Sequence, residues 1–368
     1  MIIDARTISS QEQLAFDLCI VGAGPSGLTL AKELAHLDLS ICILESGDYT
    51  FSEKTQSLCE GEIASRNRYP EDELTAGRCR QLGGSANFWE IQVDDNDVAQ
   101  NVFNVRHVIP DELDFQQRDD IPYSGWPFSR SDLMPYYQRA QKICQAGPLS
   151  YAPEDWETDR TPQLKFSSSR ICSRIFQFGP RRAFTHDYIE ELEAHRSIKI
   201  YTNAHVTELM TTAGDQVDKV KVETSTEHSF FVSAERFILA AGGMENARLL
   251  LLSNRVLPQG LGNQNDLVGR FFMDHPAFLF GILKPNDKTI FNRTGLYDLH
   301  RVDGTSVMAR LVFSEETLRK EKLLNVGLAL LPKPPGLETQ AVASFRRFMQ
   351  SLRRRKLSRK AIGSLRHS

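Results

Sequence analysis

The stretch from Asp17 to Glu45, DLCIVGAGPSGLTLAKELAHLDLSICILE, constrains the fold more than any other part of the chain. Leu18 to Val21 form a short, continuous apolar run, as a strand buried on both faces does. Gly22 permits a tight turn, and Gly24 lets backbone N–H groups come close to a ligand. Gly27 lets the following helix pack against the strand. That helix is expected from Ser26 to about His36. Its N-terminus, reached through the Gly22–Ala23–Gly24 turn, carries unpaired N–H groups and a partial positive charge suited to phosphate. Ile41 to Leu44 make the next strand. Glu45, 18 residues past Gly27, stands where a carboxylate accepts from ribose hydroxyls. A lone GxGxxG says little, but the strand before it, the helix after it and the acid beyond it together indicate dinucleotide binding.

At 368 residues the chain is long enough for roughly two domains. With 41% apolar and 25% charged residues it has the composition of a soluble globular enzyme. The N-terminus lacks the basic start and apolar stretch of a secretory signal, and no segment has the length to span a bilayer. The six cysteines (Cys19, Cys42, Cys59, Cys79, Cys144 and Cys172) are scattered without CxxC or metal spacing, so no metal site and no disulfide framework is expected. Cys19 and Cys42 read as small buried residues of the first two strands, and a reducing compartment, the cytoplasm, is expected.

Charge is unevenly placed. The net −3 divides into −12 for residues 1–338 and +9 for the tail, which holds nine basic residues and no acid. In that tail Val342, Phe345, Met349 and Leu352 form an apolar stripe on an Arg-rich helix. Its plain reading is a solvated helix of a substrate domain. An anionic membrane surface is a second reading, and nucleic acid is not supported by any fold or aromatic-basic interleaving.

Beyond the first βαβ unit the chain changes character. Residues 46–100 are polar and glycine-containing. Leu133 to Cys144 reads as a helix capped by SRSD, with Tyr136, Tyr137, Ala140 and Ile143 as its apolar stripe. Ile198–Tyr201, His205–Met210, Val217–Glu223 and Phe230–Val232 read as a meander of short strands. A second strand–glycine–helix junction follows: the strand Phe237–Ala240, the turn Ala241–Gly243 and a helix from about Glu245 to Leu252. Strand-like runs return at Phe278–Leu283, Val307–Phe313 and Val326–Leu331. His107, His186 and His195 lie among polar residues and read as solvated.

A nicotinamide enzyme would continue with regular βα units after Glu45, and this chain does not. It offers CRQLGGSANFW at 79–89 and the glycine junction at 240–243, a distribution suited to a long flavin cofactor. Gly83 and Gly84 allow the backbone to lie against an aromatic ring, and Ser85 and Asn87 can hydrogen-bond ring heteroatoms. Together with GWPFSRSDLMPYYQRAQ (125–141), AAGGMENARLLLLSN (240–254) and VGRFFMDHP (268–276), these blocks resemble the glucose–methanol–choline (GMC) family of FAD-dependent oxidoreductases, in the same order and through most of the chain.

The resemblance implies that the 79–89 loop meets the isoalloxazine with Arg80 nearby, while Trp89 reads equally as core. It implies adenine contacts at the backbone of Val206, which reads equally as a buried strand residue. Ala241 and Gly242 would pass the ribityl or pyrophosphate region, or simply begin a packed helix. His275, after Asp274, is a weak candidate for a catalytic base; the family places Asp-His-Pro as a turn bordering the cofactor domain.

The family carries its base histidine and its His or Asn partner in a C-terminal block that closes the site. No such block is found here, so an incomplete chain is expected. The alternative is a short relative that completes its site with another chain, or that keeps FAD without alcohol oxidation. The resulting expectation is an α/β fold: a split Rossmann-type FAD-binding domain (13–100 and 196–276, with 46–100 covering the flavin) interleaved with an α+β substrate or cap domain (101–195 and 277–368), C-terminally incomplete. The implied reaction is oxidation of a small-molecule alcohol or sugar, CH–OH to C=O, with FAD as hydride acceptor. Another FAD enzyme, such as an amine oxidase or monooxygenase, and a non-catalytic FAD-binding fragment are the rivals.

Overall fold

A computed structural model describes residues 1–63, 73–89, 103–224, 228–275 and 281–330. Its strands, in chain order, are β1 (Ile2–Asp4), β2 (Gln13–Val21), β3 (Ile41–Leu44), β4 (Phe103–His107), β5 (Ile171–Pro180) and β6 (Ile198–Thr202). They continue with β7 (His205–Met210), β8 (Lys219–Glu223), β9 (Ser229–Leu239), β10 (His300–Val302), β11 (Thr305–Phe313) and β12 (Gly327–Leu328). The main helices are α1 (Pro25–Leu34), α2 (Arg130–Ile143), α3 (Tyr188–Ala194), α4 (Gly243–Leu252) and α5 (Glu315–Glu321).

Seven strands form one sheet in the order β1-β6-β3-β2-β9-β8-β7. The five from β1 to β9 run parallel, and β8 and β7 return antiparallel as a meander. This is the α/β sheet expected from the opening βαβ unit. Because β2 is covered on both sides, its side chains alternate between two cores. Leu18 and Ile20 join Leu28 and Ala31 of α1 and Ile189 and Leu192 of α3. Cys19 and Val21 point the other way, toward Val206, Leu209, Val220 and Val232 of the meander and Leu249 of α4. Cys19 sits opposite Cys42 in the β2–β3 register, and both are fully buried.

Two details differ from the sequence expectation. Ile198–Tyr201 belongs to the parallel part, between β3 and β1, and not to the meander. Phe230–Val232 and Phe237–Ala240 are one strand, β9, which pairs with β2 from Phe231 to Leu239. The charged Glu235–Arg236 pair between them breaks the apolar run, and both residues are exposed.

A second, antiparallel sheet has the order β10-β11-β5-β4, with β12 on β11. One face holds Ile175, Val307 and Ala309 against Trp156, Leu296 and Tyr297. Helix α2 is closed at its start by a reciprocal Ser129–Asp132 capping box. Its buried residues are Gln141 and Ile143, while Tyr136 and Ala140 of the expected stripe are exposed. Gln141 turns inward because Gln177 of β5 receives it, with Nε2 donating to Gln177 Oε1 at 2.6 Å. His107, expected in solvent, is instead part-buried on β4, and burial pushes its imidazole down to about 4. The run expected from Phe278 lies partly outside the described residues, and 281–283 form no strand. Pro276 and the tail stripe Val342–Leu352 also lie outside the described residues. Among the described residues no helix is long and apolar enough to cross a membrane.

Candidate cofactor site

Three parallel strand ends meet in one place. β2 stops at Val21, β3 at Leu44 and β9 at Leu239, with β3 on one side of β2 and β9 on the other. In open α/β sheets such a change of direction leaves a crevice at the carboxyl ends, where ligands bind. Here the crevice is a cleft of about 630 Å³.

The glycines divide into two jobs. Gly22 has φ +105°, and a Cβ on it would sit 2.7 Å from the Ala240 carbonyl oxygen, so only glycine lets β2 and β9 end side by side. A Cβ on Gly27 would lie 2.0 Å from the Gly22 carbonyl oxygen, which closes α1 onto the turn. Gly24 and Gly242 are different. The nearest atom to a Cβ on Gly24 is Gly84 Cα at 3.8 Å, and one on Gly242 would meet nothing within 4 Å. Their bare backbones line the cleft.

Those two glycines are also the N-caps of α1 and α4, and neither helix has a side-chain cap. Two helices thus begin at the cleft with uncapped N-termini, each carrying unsatisfied N–H groups and a positive dipole end. Opposite charge suits the space between them.

Glu45 is buried at the end of β3. Its Oε2 accepts from Ala23 N at 2.9 Å and its Oε1 from Gly47 N at 2.8 Å. Burial pushes its carboxyl above the usual range, while the Gly47 and Ala23 N–H groups and Arg80 pull it back. The carboxylate therefore ties the strand exit to the glycine turn while lining the cleft.

The 79–89 loop closes one side. Gly83 and Gly84 both take positive φ, +92° and +55°, and lead into a 3₁₀ turn over Gly84–Asn87. Gly84 packs against Gly24, since a Cβ on it would be 2.7 Å from Gly24 Cα. Ser85 and Trp89 line the cleft, and Trp89 is 39% exposed, so it does not serve as core. Asn87 Nδ2 donates to the carbonyls of Leu82 at 3.0 Å and Gly84 at 2.9 Å, holding the loop itself. Cys79 is buried, and burial pushes its thiol up to about 12, far from thiolate reactivity.

Arg80 lies at the Glu45 end of the cleft, buried and fully engaged. It donates to Ser46 Oγ at 3.1 Å, Cys59 Sγ at 3.1 Å and Glu245 Oε2 at 2.8 Å. Val206 is buried and lines the same end. His275 also lines the cleft, its side chain 85% exposed and its Nδ1 2.9 Å from Asp274 Oδ1.

The cleft therefore brings together Gly22, Gly24, Ser26, Glu45, Arg80, Gly84, Ser85, Val206, Ala241, Gly242 and His275. Ala23, Gly27, Gly83 and Asn87 stand behind them, shaping the turn and the loop. Sequence reasoning missed Gly47, where a Cβ would be 2.3 Å from the Arg80 carbonyl oxygen. It also missed that Glu245 is the common partner of Arg78, Arg80 and Arg248. Glycine and acid are too common for either role to stand out, and 165 residues separate Arg80 from Glu245.

The fold and cleft define a dinucleotide-binding α/β protein whose glycines, helix ends and buried acid fit a cofactor with a central diphosphate. The sequence pattern of the family described as FAD binding domain matches residues 17–267, and the chain belongs to that family. FAD is its cofactor, as expected from the glycine loop at 79–89 and the junction at 240–243. The chain is 40% identical over 80 residues, 22% of its length and 15% of the other, to the fructose dehydrogenase large subunit of Gluconobacter japonicus. It is 23% identical over 305 residues, 70% of its length and 55% of the other, to 2-methyl-1,2-propanediol dehydrogenase of Mycolicibacterium austroafricanum. A solved structure of pyridoxine 4-oxidase from Mesorbium loti aligns with TM-score 0.38 and 18% identity, over 64% of this chain and 51% of that one. The chain thus spans about half the length, or less, of the curated relatives it matches.

Proposed function

We propose that this chain provides the FAD-binding part of an oxidoreductase acting on CH–OH groups of small alcohols or sugars. The observation that carries the reading is the pair of uncapped helix N-termini, at Gly24 and Gly242, facing one cleft beside the buried Glu45. In this reading the two helix ends and the bare glycines take the diphosphate. Glu45 accepts from a ribose hydroxyl, and the Gly84–Ser85 segment borders the ring system. FAD, when bound, supplies the hydride-accepting chemistry. The protein's part is to orient the cofactor and substrate and to exclude water. The relatives named for fructose and propanediol oxidation support the substrate class.

The division into an FAD-binding domain (13–100 and 196–276) and a substrate domain (101–195 and 277–368) is part of the same proposal, supported by the two separate sheets, except that β1 (Ile2–Asp4) and α3 (Tyr188–Ala194) join the FAD-binding side. A reducing compartment belongs to it as well, resting on the six scattered thiols. His275 is kept as a weak candidate base, because its exposed ring borders the cleft and pairs with Asp274. Anaerobic titration of the FAD-loaded chain with alcohols and sugars tests the function. Bleaching of the flavin spectrum by such a donor is expected. A bound flavin that is reduced by amines and by no alcohol or sugar would transfer the chain to another class of FAD enzyme.

A further inference from the structure

Glu245, in the first turn of α4, collects three guanidinium groups. Arg78 donates to Oε1, Arg80 Nη2 to Oε2 at 2.8 Å, and Arg248 Nε to Oε2 at 3.0 Å. Burial opposes charge on this carboxyl, yet Arg80, Arg248 and Arg78 outweigh it and hold it below the usual range. One ionised carboxylate thus anchors Arg80 in a single direction, reinforced by Ser46. The remaining contact of Arg80 is the informative one: Nη1 lies 3.3 Å from Nδ1 of His205, the first residue of β7.

A guanidinium offers donors only. His205 Nδ1 must therefore supply the lone pair, and the ring proton sits on Nε2. Burial, then Arg80 and Arg248, hold this imidazole down to about 4, so it is neutral at physiological pH. His205 lines the cleft between Arg80 and Val206, and its Nε2 has no acceptor among the described residues. A fixed N–H donor is thus carried by a cleft-lining residue next to Ala204, whose N–H donates to the Glu45 carbonyl at 2.8 Å.

We propose that the Glu245–Arg80 pair positions His205 as an Nε2–H donor to the adenosine half of the cofactor, so that this corner selects a dinucleotide flavin over a mononucleotide one. The proposal rests on the FAD reading above and adds two positioning residues and one cofactor contact to it.

The test compares Kd for FAD and for FMN, by quenching of flavin fluorescence, in the full chain and in Glu245→Gln, His205→Phe and His205→Gln. Loss of a hydrogen bond to a polar group predicts about a tenfold weaker FAD affinity for Glu245→Gln and His205→Phe, with FMN affinity unchanged. His205→Gln retains an N–H donor and is expected to recover most of the loss. Parallel weakening of both flavins would reduce the cluster to a fold support and overturn the proposal. So would unchanged FAD affinity in His205→Phe. A parent chain that binds neither flavin would overturn the cofactor reading itself, a result distinct from failure of the corner.

Discussion

A Cβ on Gly27 would sit 2.0 Å from a backbone oxygen, while one on Gly24 would meet only Gly84 Cα at 3.8 Å, so Gly27 is held by folding and Gly24 is free for the ligand role proposed for it. Gly27→Ala is accordingly predicted to destabilise the chain by about 1–3 kcal/mol, the cost of overpacking, read from urea unfolding without any cofactor. Two part-buried histidines set a second prediction at this scale. His107 and His205 fall from an ordinary 6.5 to about 4, in both cases through burial first. Between those values the unfolded chain is protonated and the native chain is not. Stability is therefore fully present above pH 6.5 and lost as pH falls toward 4, by at most about 1.4 kcal/mol per pH unit for each ring. Glu45 acts in the opposite sense, because its raised carboxyl favours the native state at low pH and loses that contribution as pH rises through its folded value. Urea midpoints for the parent chain and His107→Phe at pH 7 and 5 check the account. The variant should lose less on acidification, and an identical loss would show that His107 does not titrate as argued. The turn at Gly22, the helix packing at Gly27 and the place of Glu45 at the end of β3 were legible because they depend on local spacing. His107 was misjudged because its polar sequence neighbours say nothing about the sheet it joins.

At the scale of elements, α2 shows where periodicity stops being informative. Its cap is written in Ser129 and Asp132, three residues apart, and it forms. Its inner face is chosen by a partner: Gln141 is drawn in by Gln177, which leaves Tyr136 outside with 59% exposure. Ile143→Ala is predicted to cost about 2–5 kcal/mol as a buried large-to-small change. Tyr136→Ala should stay within about 0.5 kcal/mol, as surface substitutions do. The reverse ranking in thermal unfolding would restore the Tyr136–Ala140 stripe as the packed face. β9 teaches the same lesson from the other side. The exposed Glu235 and Arg236 divide it in sequence, yet continuous pairing with β2 carries one strand through them. Backbone pairing across more than 200 residues has no local signature.

For the whole molecule, the two sheets are built from interleaved segments, and the cleft draws on residues as distant as Gly22 and His275. The βαβ opening made the parallel sheet readable, and the ordered blocks made the family readable. The antiparallel sheet was less so, since only part of β11 and β12 resembled strands in isolation. If FAD binds only the folded chain, saturating it at about 100 times Kd should raise stability by about 2.7 kcal/mol. Adenosine-free flavins at the same concentration should give less. The most direct test of the central claim is equilibrium dialysis of FAD against the parent chain and Gly24→Val, with circular dichroism confirming equal folding. One FAD per parent chain and an affinity at least about a hundredfold weaker in the variant are predicted, because a valine side chain covers bare backbone that lines the cleft beside Gly84. A folded parent that takes up no FAD, or a Gly24→Val chain that holds it as tightly, would contradict the assignment of this cleft.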